Sequence, residues 1–225
     1  MAAVSIEAET VAARVADVRR RVAHAGGDPD EIRIVAVTKG FGPEAVAAAF
    51  QAGLVDVGEN YAQELVAKAS ASPPGVRWHF LGTVQRNKVS RLAPLVRVWH
   101  GIDRPRAADA VAAATPGAEV FVEVNVTGAP SRSGCAPGEA EALVEHCRAV
   151  GLDVAGLMTV GPEGDIDAGR RDFRWLARRA RELRLRGLSM GMSDDFEVAV
   201  AEGATTLRLG RVLFGPRPGP AVVSR

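Results

Sequence analysis

The sequence has 225 residues, of which 47% are hydrophobic and 24% are charged, a composition typical of a single globular domain. Its formal net charge of +1 gives no electrostatic basis for binding nucleic acid or an anionic membrane, and no apolar run is long enough to span a bilayer. Because the two cysteines lack metal-ligand spacing and the N-terminus lacks the apolar core of a signal peptide, we expect a cytoplasmic protein without a metal site.

The chain begins with a predicted amphipathic helix over residues 4–25, in which valines recur at helical spacing. A β-branched apolar run at 32–37 follows and predicts a strand buried on both faces. Helical spacing then extends over 43–53, and a second short strand is predicted at 56–59. We assign residues 1–28 to an extra N-terminal helix that packs on the domain or covers one end of it.

Six more apolar runs alternate with helical patterns along the rest of the chain. They predict strands at 78–82, 96–102, 119–126, within 153–161, and at 188–192 and 205–210. Eight strands separated by helices favour a parallel sheet, and eight such units favour one closed (β/α)8 TIM barrel. The alternative is an open doubly wound sheet, whose usual glycine-rich motif does not follow the first strand. No linker divides residues 1–225, and 216–225 are expected to form a loose tail.

Lys39 comes almost directly after the first predicted strand, where the residues of a barrel face its catalytic mouth. Burial there would lower the pKa of the ammonium, and the neutral amine is a nucleophile that can form a Schiff base with a carbonyl compound. The alternative is a lysine whose long side chain reaches the solvent from the strand end. Position alone does not separate these two hypotheses.

Other polar residues at the strand ends would converge on the same mouth. Asn60 ends the second strand, and His79 lies within the third. Ser193 is predicted to cap the helix after the seventh strand and, with Gly210 after the eighth, to form an anion site, because barrels often bind phosphate with these two loops. The alternatives are a plain helix cap, a turn glycine and, for His79, a satisfied core histidine.

Arg208 alternates with two leucines in the eighth strand, so inside a barrel it would be a buried cation in need of a partner. The hypotheses are a ligand contact and a structural ion pair with an acid such as Glu59. Met158 and Met192 are expected to form pocket wall or core. The polar loop at 129–138 has the composition of a lid or a ligand-binding loop.

Six motifs at the strand ends carry a family resemblance. They read TKGFGPEAV, VGENYAQELVAKA, WHFLGTVQRNKV, VNVTGAPSRSG, GLMTVGP and LSMGMSDDFEVAVAEGATTLRLGRVLFG. In order and spacing they closely resemble the pyridoxal phosphate homeostasis proteins, from about the first strand to Gly215. The resemblance implies a fold-type III barrel like the N-terminal domain of alanine racemase, which binds pyridoxal 5′-phosphate (PLP).

The same resemblance implies how the cofactor would be held. Lys39 would hold PLP as an aldimine, while Ser193 and the backbone at Gly210 and Arg211 would cradle the phosphate. The full set of expected cofactor-binding residues is Lys39, Asn60, His79, Met158, Ser193, Arg208, Gly210 and Arg211.

At the ring of the cofactor, the resemblance places Arg208 beside the pyridine nitrogen and Asn60 and His79 nearby. An arginine at that nitrogen disfavours a protonated pyridinium, which weakens the electron sink that most PLP chemistry needs.

Two positions depart from the family pattern. Arg132 stands in the SRSG stretch where the family often has lysine; an arginine keeps the charge but cannot form a second aldimine there. Arg211 follows Gly210 where many members have threonine, which removes a hydroxyl from the expected phosphate site or adds a charge to it.

The leading hypothesis is a protein that holds PLP at Lys39, buffers the free aldehyde and passes it to PLP-dependent apo-enzymes, in vitamin B6 homeostasis and without evident catalysis. A two-base racemase would need a second acid or base opposite Lys39, and the sequence reveals none. The alternatives are a fold-type III amino-acid racemase or decarboxylase, and a Schiff-base aldolase without a cofactor. We expect a monomer, because the chain lacks the second, partner-facing domain of those enzymes.

Overall fold

Eight parallel strands close a barrel in chain order, and the last strand is hydrogen-bonded back to the first. The computed structural model describes residues 6–217. Its strands are β1 Arg33–Val37, β2 Asp56–Glu59, β3 Arg77–Phe80, β4 Val96–Ile102, β5 Glu119–Glu123, β6 Asp153–Met158, β7 Gly187–Ser189 and β8 Thr206–Leu209. The predicted (β/α)8 barrel is therefore confirmed, and the open doubly wound sheet was the wrong alternative.

Helices alternate with the strands and cover the outside of the barrel. In the described part of the chain they are α1 Ala8–His24, α2 Pro43–Gln51, α3 Ala62–Ala69, α4 Arg86–Leu92, α5 Pro105–Ala114, α6 Ala140–Ala149, α7 Ile166–Glu182, α8 Phe196–Ala201 and α9 Arg211–Phe214. The predicted extra N-terminal helix is α1, which buries its valine stripe and packs against α2, α8 and α9. Within residues 6–217, no helix combines the length and the apolar character that a membrane crossing requires.

Several predicted strands are shorter than expected, and the backbone gives the reason for two of them. The strand predicted at 119–126 ends at Glu123, because the chain then bonds to the following loop: Asn125 N–H donates to the Cys135 carbonyl at 2.9 Å. The strand predicted at 188–192 covers only Gly187–Ser189, since Gly191 has φ +94°, a left-handed conformation that ends regular pairing. The loose tail predicted at 216–225 falls largely on residues 218–225, which lie outside the described residues.

The barrel separates two apolar regions. Alternate strand residues such as Ile34 and Ala36 belong to the main core with the helices. A second, small cluster of Val98, Phe121 and Met158 lies apart from that core. Because Phe121 stacks on the buried ring of His100, with 4.7 Å between ring centroids, we place this cluster inside the barrel, beneath the mouth. Met158 thus belongs to the buried apolar cluster that forms the floor of the mouth, in agreement with the expectation that it is pocket wall or core.

Glycines let the loops at the carboxyl ends of neighbouring strands pack closely. A methyl group on Gly82 would overlap the carbonyl oxygen of Asn60, and a methyl group on Gly101 would overlap the carbonyl oxygen of Gly82. The chain at the ends of β2, β3 and β4 therefore packs backbone against backbone, which only glycine permits at these two positions.

Candidate functional site

Lys39 lies at the mouth of the barrel, two residues beyond the end of β1, and its side chain is half-buried. Burial lowers the pKa of its ammonium, the positive charges of Arg217 and Arg208 lower it further, and the carboxylate of Glu59 opposes the shift. The side chain is therefore not the freely solvated lysine of the alternative hypothesis. A lysine with a lowered pKa is a better nucleophile near neutral pH.

A cluster of buried Lys68 and Glu59 with half-buried Glu64, here called the Lys68 cluster, fixes the backbone on both sides of Lys39. Lys68 Nζ donates to the Thr38 carbonyl at 2.8 Å, to Glu59 Oε2 at 2.6 Å and to Glu64 Oε2 at 2.8 Å. Glu64 Oε2 also accepts the N–H of Gly40 at 3.1 Å. The peptide groups flanking Lys39 are thus held by one charged cluster.

Arg208 is buried inside the barrel and donates from both terminal nitrogens. Its NH1 donates to Ser189 Oγ at 2.7 Å, and its NH2 donates to the Thr159 carbonyl at 2.8 Å. Burial lowers its pKa to about 10, although the carboxyl groups of Glu123 and Asp195 oppose that shift. The predicted alternative, an ion pair with Glu59, was wrong, because Glu59 is occupied by Lys68.

Ser193 and Gly210 are brought together beside the end of β1, but Ser193 does not cap a helix as predicted. Helix α8 begins only at Phe196, since the Asp195 carboxylate accepts the Met192 N–H at 2.6 Å and holds 192–195 in a turn. The Ser193 hydroxyl instead accepts the N–H of Val212, in α9, at 3.2 Å. A methyl group on Gly210 would stand 3.2 Å from the Val37 carbonyl, so this glycine lies against β1.

The Arg211 guanidinium pairs with the carboxylate of Asp194, and both side chains are exposed at this rim of the mouth. Arg211 therefore brings a charge to the predicted phosphate site that Asp194 already neutralises. Asn60, at the end of β2, is half-buried, and its side-chain amide has no hydrogen-bond partner within the described chain. It remains available to a ligand.

His79 lies below the mouth and is completely buried. Its Nε2 is 2.9 Å from Asp56 Oδ1, and its Nδ1 is 2.9 Å from His100 Nε2. Both ring nitrogens are therefore engaged by other side chains, and a hydrogen bond from His79 to a ligand is not available. His79 therefore has the environment of a satisfied core histidine, which was the alternative interpretation of the sequence.

Glu123 is a candidate that the sequence analysis missed. It ends β5, which stands directly across an eight-stranded ring from β1 and Lys39, and its side chain is 5% exposed. Its Oε2 has no hydrogen-bond partner among the described residues. Burial raises its pKa to about 7, with Arg208 opposing the shift and Asp103 adding to it. Its position two residues after the inward-facing Phe121 was the available signal.

The loop after β5 is tied to the loop after β6 by Arg132, whose NH1 donates to the carbonyls of Val160 and Gly161, each at 2.7 Å. Within the loop, Asn125 Nδ2 donates to the Ala129 carbonyl at 2.9 Å. Arg132, predicted to differ in function from a lysine, thus holds the polar loop against its neighbour. No group of three or more metal-ligating side chains occurs among residues 6–217.

Residues 6–218 match the family model of the alanine racemase N-terminal domain. Over 219 residues the chain is 39% identical to the pyridoxal phosphate homeostasis protein of Pseudomonas aeruginosa, which covers 93% of this chain and 95% of that protein. It is 36% identical over 210 residues to the pyridoxal phosphate homeostasis protein of Homo sapiens, covering 82% of this chain and 76% of that protein.

The chain is also similar in fold to solved structures. PipY of Synechococcus elongatus, whose structure was determined with PLP bound, has a TM-score of 0.80 and 30% identity over 91% of this chain and 100% of its own. Lysine decarboxylase of Selenomonas ruminantium has a TM-score of 0.68 at 18% identity, over 92% of this chain and 61% of its own. At that identity the likeness concerns the fold alone.

Proposed function

The chain belongs to the pyridoxal phosphate homeostasis proteins, and from that membership we propose that it binds PLP at the barrel mouth through Lys39. The single observation that carries the proposal is the half-buried amine of Lys39, whose pKa is lowered and whose flanking peptide groups are fixed by the Lys68 cluster. Such an amine suits attachment of the cofactor aldehyde, with loss of water.

The residues at the mouth suit the rest of the cofactor. Ser193 and the backbone at Gly210 and Arg211 lie beside the end of β1 and would hold the phosphate. Arg208 would face the pyridine nitrogen, and Asn60 offers a free amide near the ring. His79 would lie beneath the cofactor without a hydrogen bond to it, because both of its ring nitrogens are engaged by His100 and Asp56.

We propose that the protein buffers and delivers PLP rather than catalysing a reaction of its own. Bound PLP supplies an electron sink when its ring nitrogen is protonated. A guanidinium has only donors and stays charged, so Arg208 at that nitrogen would disfavour its protonation. The proposal includes a cytoplasmic monomer that passes PLP to apo-enzymes.

The second candidate function is a PLP-dependent amino-acid racemase or decarboxylase, and Glu123 is the observation that favours it. A carboxyl group with a pKa of about 7, buried across the barrel from Lys39, has the properties of a second acid or base. Turnover of a panel of amino acids separates the two functions. Rates no higher than those of free PLP support the carrier, and a rate that Glu123→Gln abolishes supports the enzyme.

Replacing Lys39 with alanine is expected to abolish covalent attachment while leaving weaker, non-covalent binding, because the phosphate contacts remain. The protein is loaded with PLP, reduced with borohydride, dialysed and weighed by mass spectrometry. We expect one cofactor fixed on the unaltered protein and none on Lys39→Ala. The matched control is Lys88→Ala, an exposed lysine of α4, which should retain the adduct. An adduct on Lys39→Ala would assign attachment to another lysine.

A further inference from the structure

Three buried side chains connect Arg208 to Asp56 through the inside of the barrel. Arg208 NH1 donates to Ser189 Oγ at 2.7 Å, and Ser189 Oγ is 2.9 Å from His100 Nδ1. His100 Nε2 is 2.9 Å from His79 Nδ1, and His79 Nε2 is 2.9 Å from Asp56 Oδ1. We call this chain of five side chains, drawn from β8, β7, β4, β3 and β2, the interior relay. Ser189, His100 and His79 are all completely buried.

The two ends of the interior relay determine where every proton lies. A guanidinium only donates, so Ser189 Oγ accepts from Arg208 and has its own proton free for His100 Nδ1. His100 then carries its proton on Nε2 and donates to His79 Nδ1. His79 in turn carries its proton on Nε2 and donates to the carboxylate of Asp56.

The opposite direction is not compatible with the contacts. It would leave the hydroxyl proton of Ser189 without a partner and would turn the unprotonated Nε2 of His79 toward the Asp56 carboxylate. Hydrogen bonds from His79 and Arg77 lower the pKa of Asp56, so this acid is ionised at neutral pH. Burial lowers the pKa of His79 and lowers that of His100 well below its usual range, which keeps both rings neutral.

The interior relay connects Arg208 by hydrogen bonds to a carboxylate that it does not contact, Asp56, which also pairs with Arg77 at 2.7 Å. No carboxylate lies within ion-pair distance of this guanidinium in the part of the chain that the structure describes, and a buried cation needs compensation. The carboxyl groups of Glu123 and Asp195 lie near enough to favour the charged form of Arg208, although neither forms an ion pair with it. Asp56 is the ionised group at the other end, and hydrogen bonds aligned in one direction polarise one another.

We propose that Ser189, His100 and His79 are positioning residues, which hold the guanidinium of Arg208 in its orientation at the floor of the mouth and connect it by hydrogen bonds to Asp56. The relay itself follows from the contacts of the protein alone. Its effect on a cofactor ring rests on the proposed function, in which Arg208 faces the pyridine nitrogen. A relay of this kind makes the mouth sensitive to groups that never touch the ligand.

The first test uses the full chain without cofactor and measures the proton positions directly. Nitrogen-15 labelling of histidine and long-range proton–nitrogen NMR distinguish Nδ1–H from Nε2–H rings. We expect two rings in the Nε2–H form at neutral pH. The exposed His24 and the half-buried His146 serve as internal references. An Nδ1–H form of His79 or His100 at neutral pH overturns the assignment.

The second test removes the link next to Arg208. Ser189→Ala deletes a hydrogen bond to a charged donor, and we expect PLP affinity to fall by about tenfold or more. We also expect a changed pH midpoint in the visible spectrum of bound PLP. The matched control is Ser90→Ala on the exposed face of α4, which should change neither. Equal behaviour of the two variants overturns the positioning role. A protein that binds no PLP overturns the proposed function and leaves the NMR result standing.

Discussion

Replacing Lys68 with methionine is expected to lower the free energy of unfolding by about 3–5 kcal/mol, the usual cost of leaving a buried charge without its partner. Glu59 is completely buried, and Lys68 Nζ lies 2.6 Å from its Oε2 atom. The same substitution frees the Thr38 carbonyl and loosens Glu64 from Gly40. The backbone around Lys39 is then no longer fixed, so the covalent adduct of PLP on Lys39, trapped with borohydride, should also form more slowly.

Urea unfolding at neutral pH measures the loss. Lys88→Met is the matched control, because this lysine is exposed and its substitution should change stability by less than about 0.5 kcal/mol. The double variant Lys68→Met with Glu59→Gln removes both charges and should recover part of the loss. If Lys68→Met is as stable as Lys88→Met, the Lys68 cluster does not stabilise the barrel.

Replacing Glu123 with glutamine is expected to remove a pH-dependent penalty of about 3 kcal/mol, the equivalent of a pKa that rises from the ordinary 4.5 to about 7 on folding. Below about pH 4 the carboxyl group is protonated in both states and contributes nothing. As the pH rises toward about 7, the unfolded chain releases this proton first, so the folded state loses stability. Above that pH the penalty is constant.

The measurement is the free energy of unfolding of both proteins across this range of pH. The wild-type protein should lose stability relative to Glu123→Gln as the pH increases, because glutamine does not titrate. Glu31→Gln, an exposed position, is the control and should follow the wild-type profile. Parallel profiles for wild type and Glu123→Gln would mean that this carboxyl group has an ordinary pKa in the folded protein.

The barrel was predictable because its strands are short apolar runs separated by amphipathic helices. The strands at 56–59 and 96–102 have the predicted bounds. The predicted end of the seventh strand was wrong, because the apolar residues continue past Ser189 while Gly191 turns the backbone out of the sheet. Helix α9 was missed because four residues do not establish a helical period.

The position of Lys39 at the mouth was predictable because the residue follows one strand, whereas contacts between distant elements were not predictable. The ion pair between Glu59 and Lys68 joins a strand to the next helix, so no helical or strand period reveals it. Ser193 failed as a helix cap because Asp195, two residues later, organises the turn. His100 and Ser189 drew no attention in sequence, since their roles depend on the register of four strands.

The backbone packing of Gly82 against Asn60 and of Gly101 against Gly82 limits which residues the rim of the barrel mouth can accept. No side chain stands between these backbone segments, so alanine at position 82 or 101 would force the neighbouring backbone apart. The loop that carries Arg132 is held by both kinds of contact: Asn125 N–H donates to the Cys135 carbonyl, and the Arg132 guanidinium donates to the carbonyls of Val160 and Gly161. Alanine at position 132 would therefore remove only the side-chain part of this attachment.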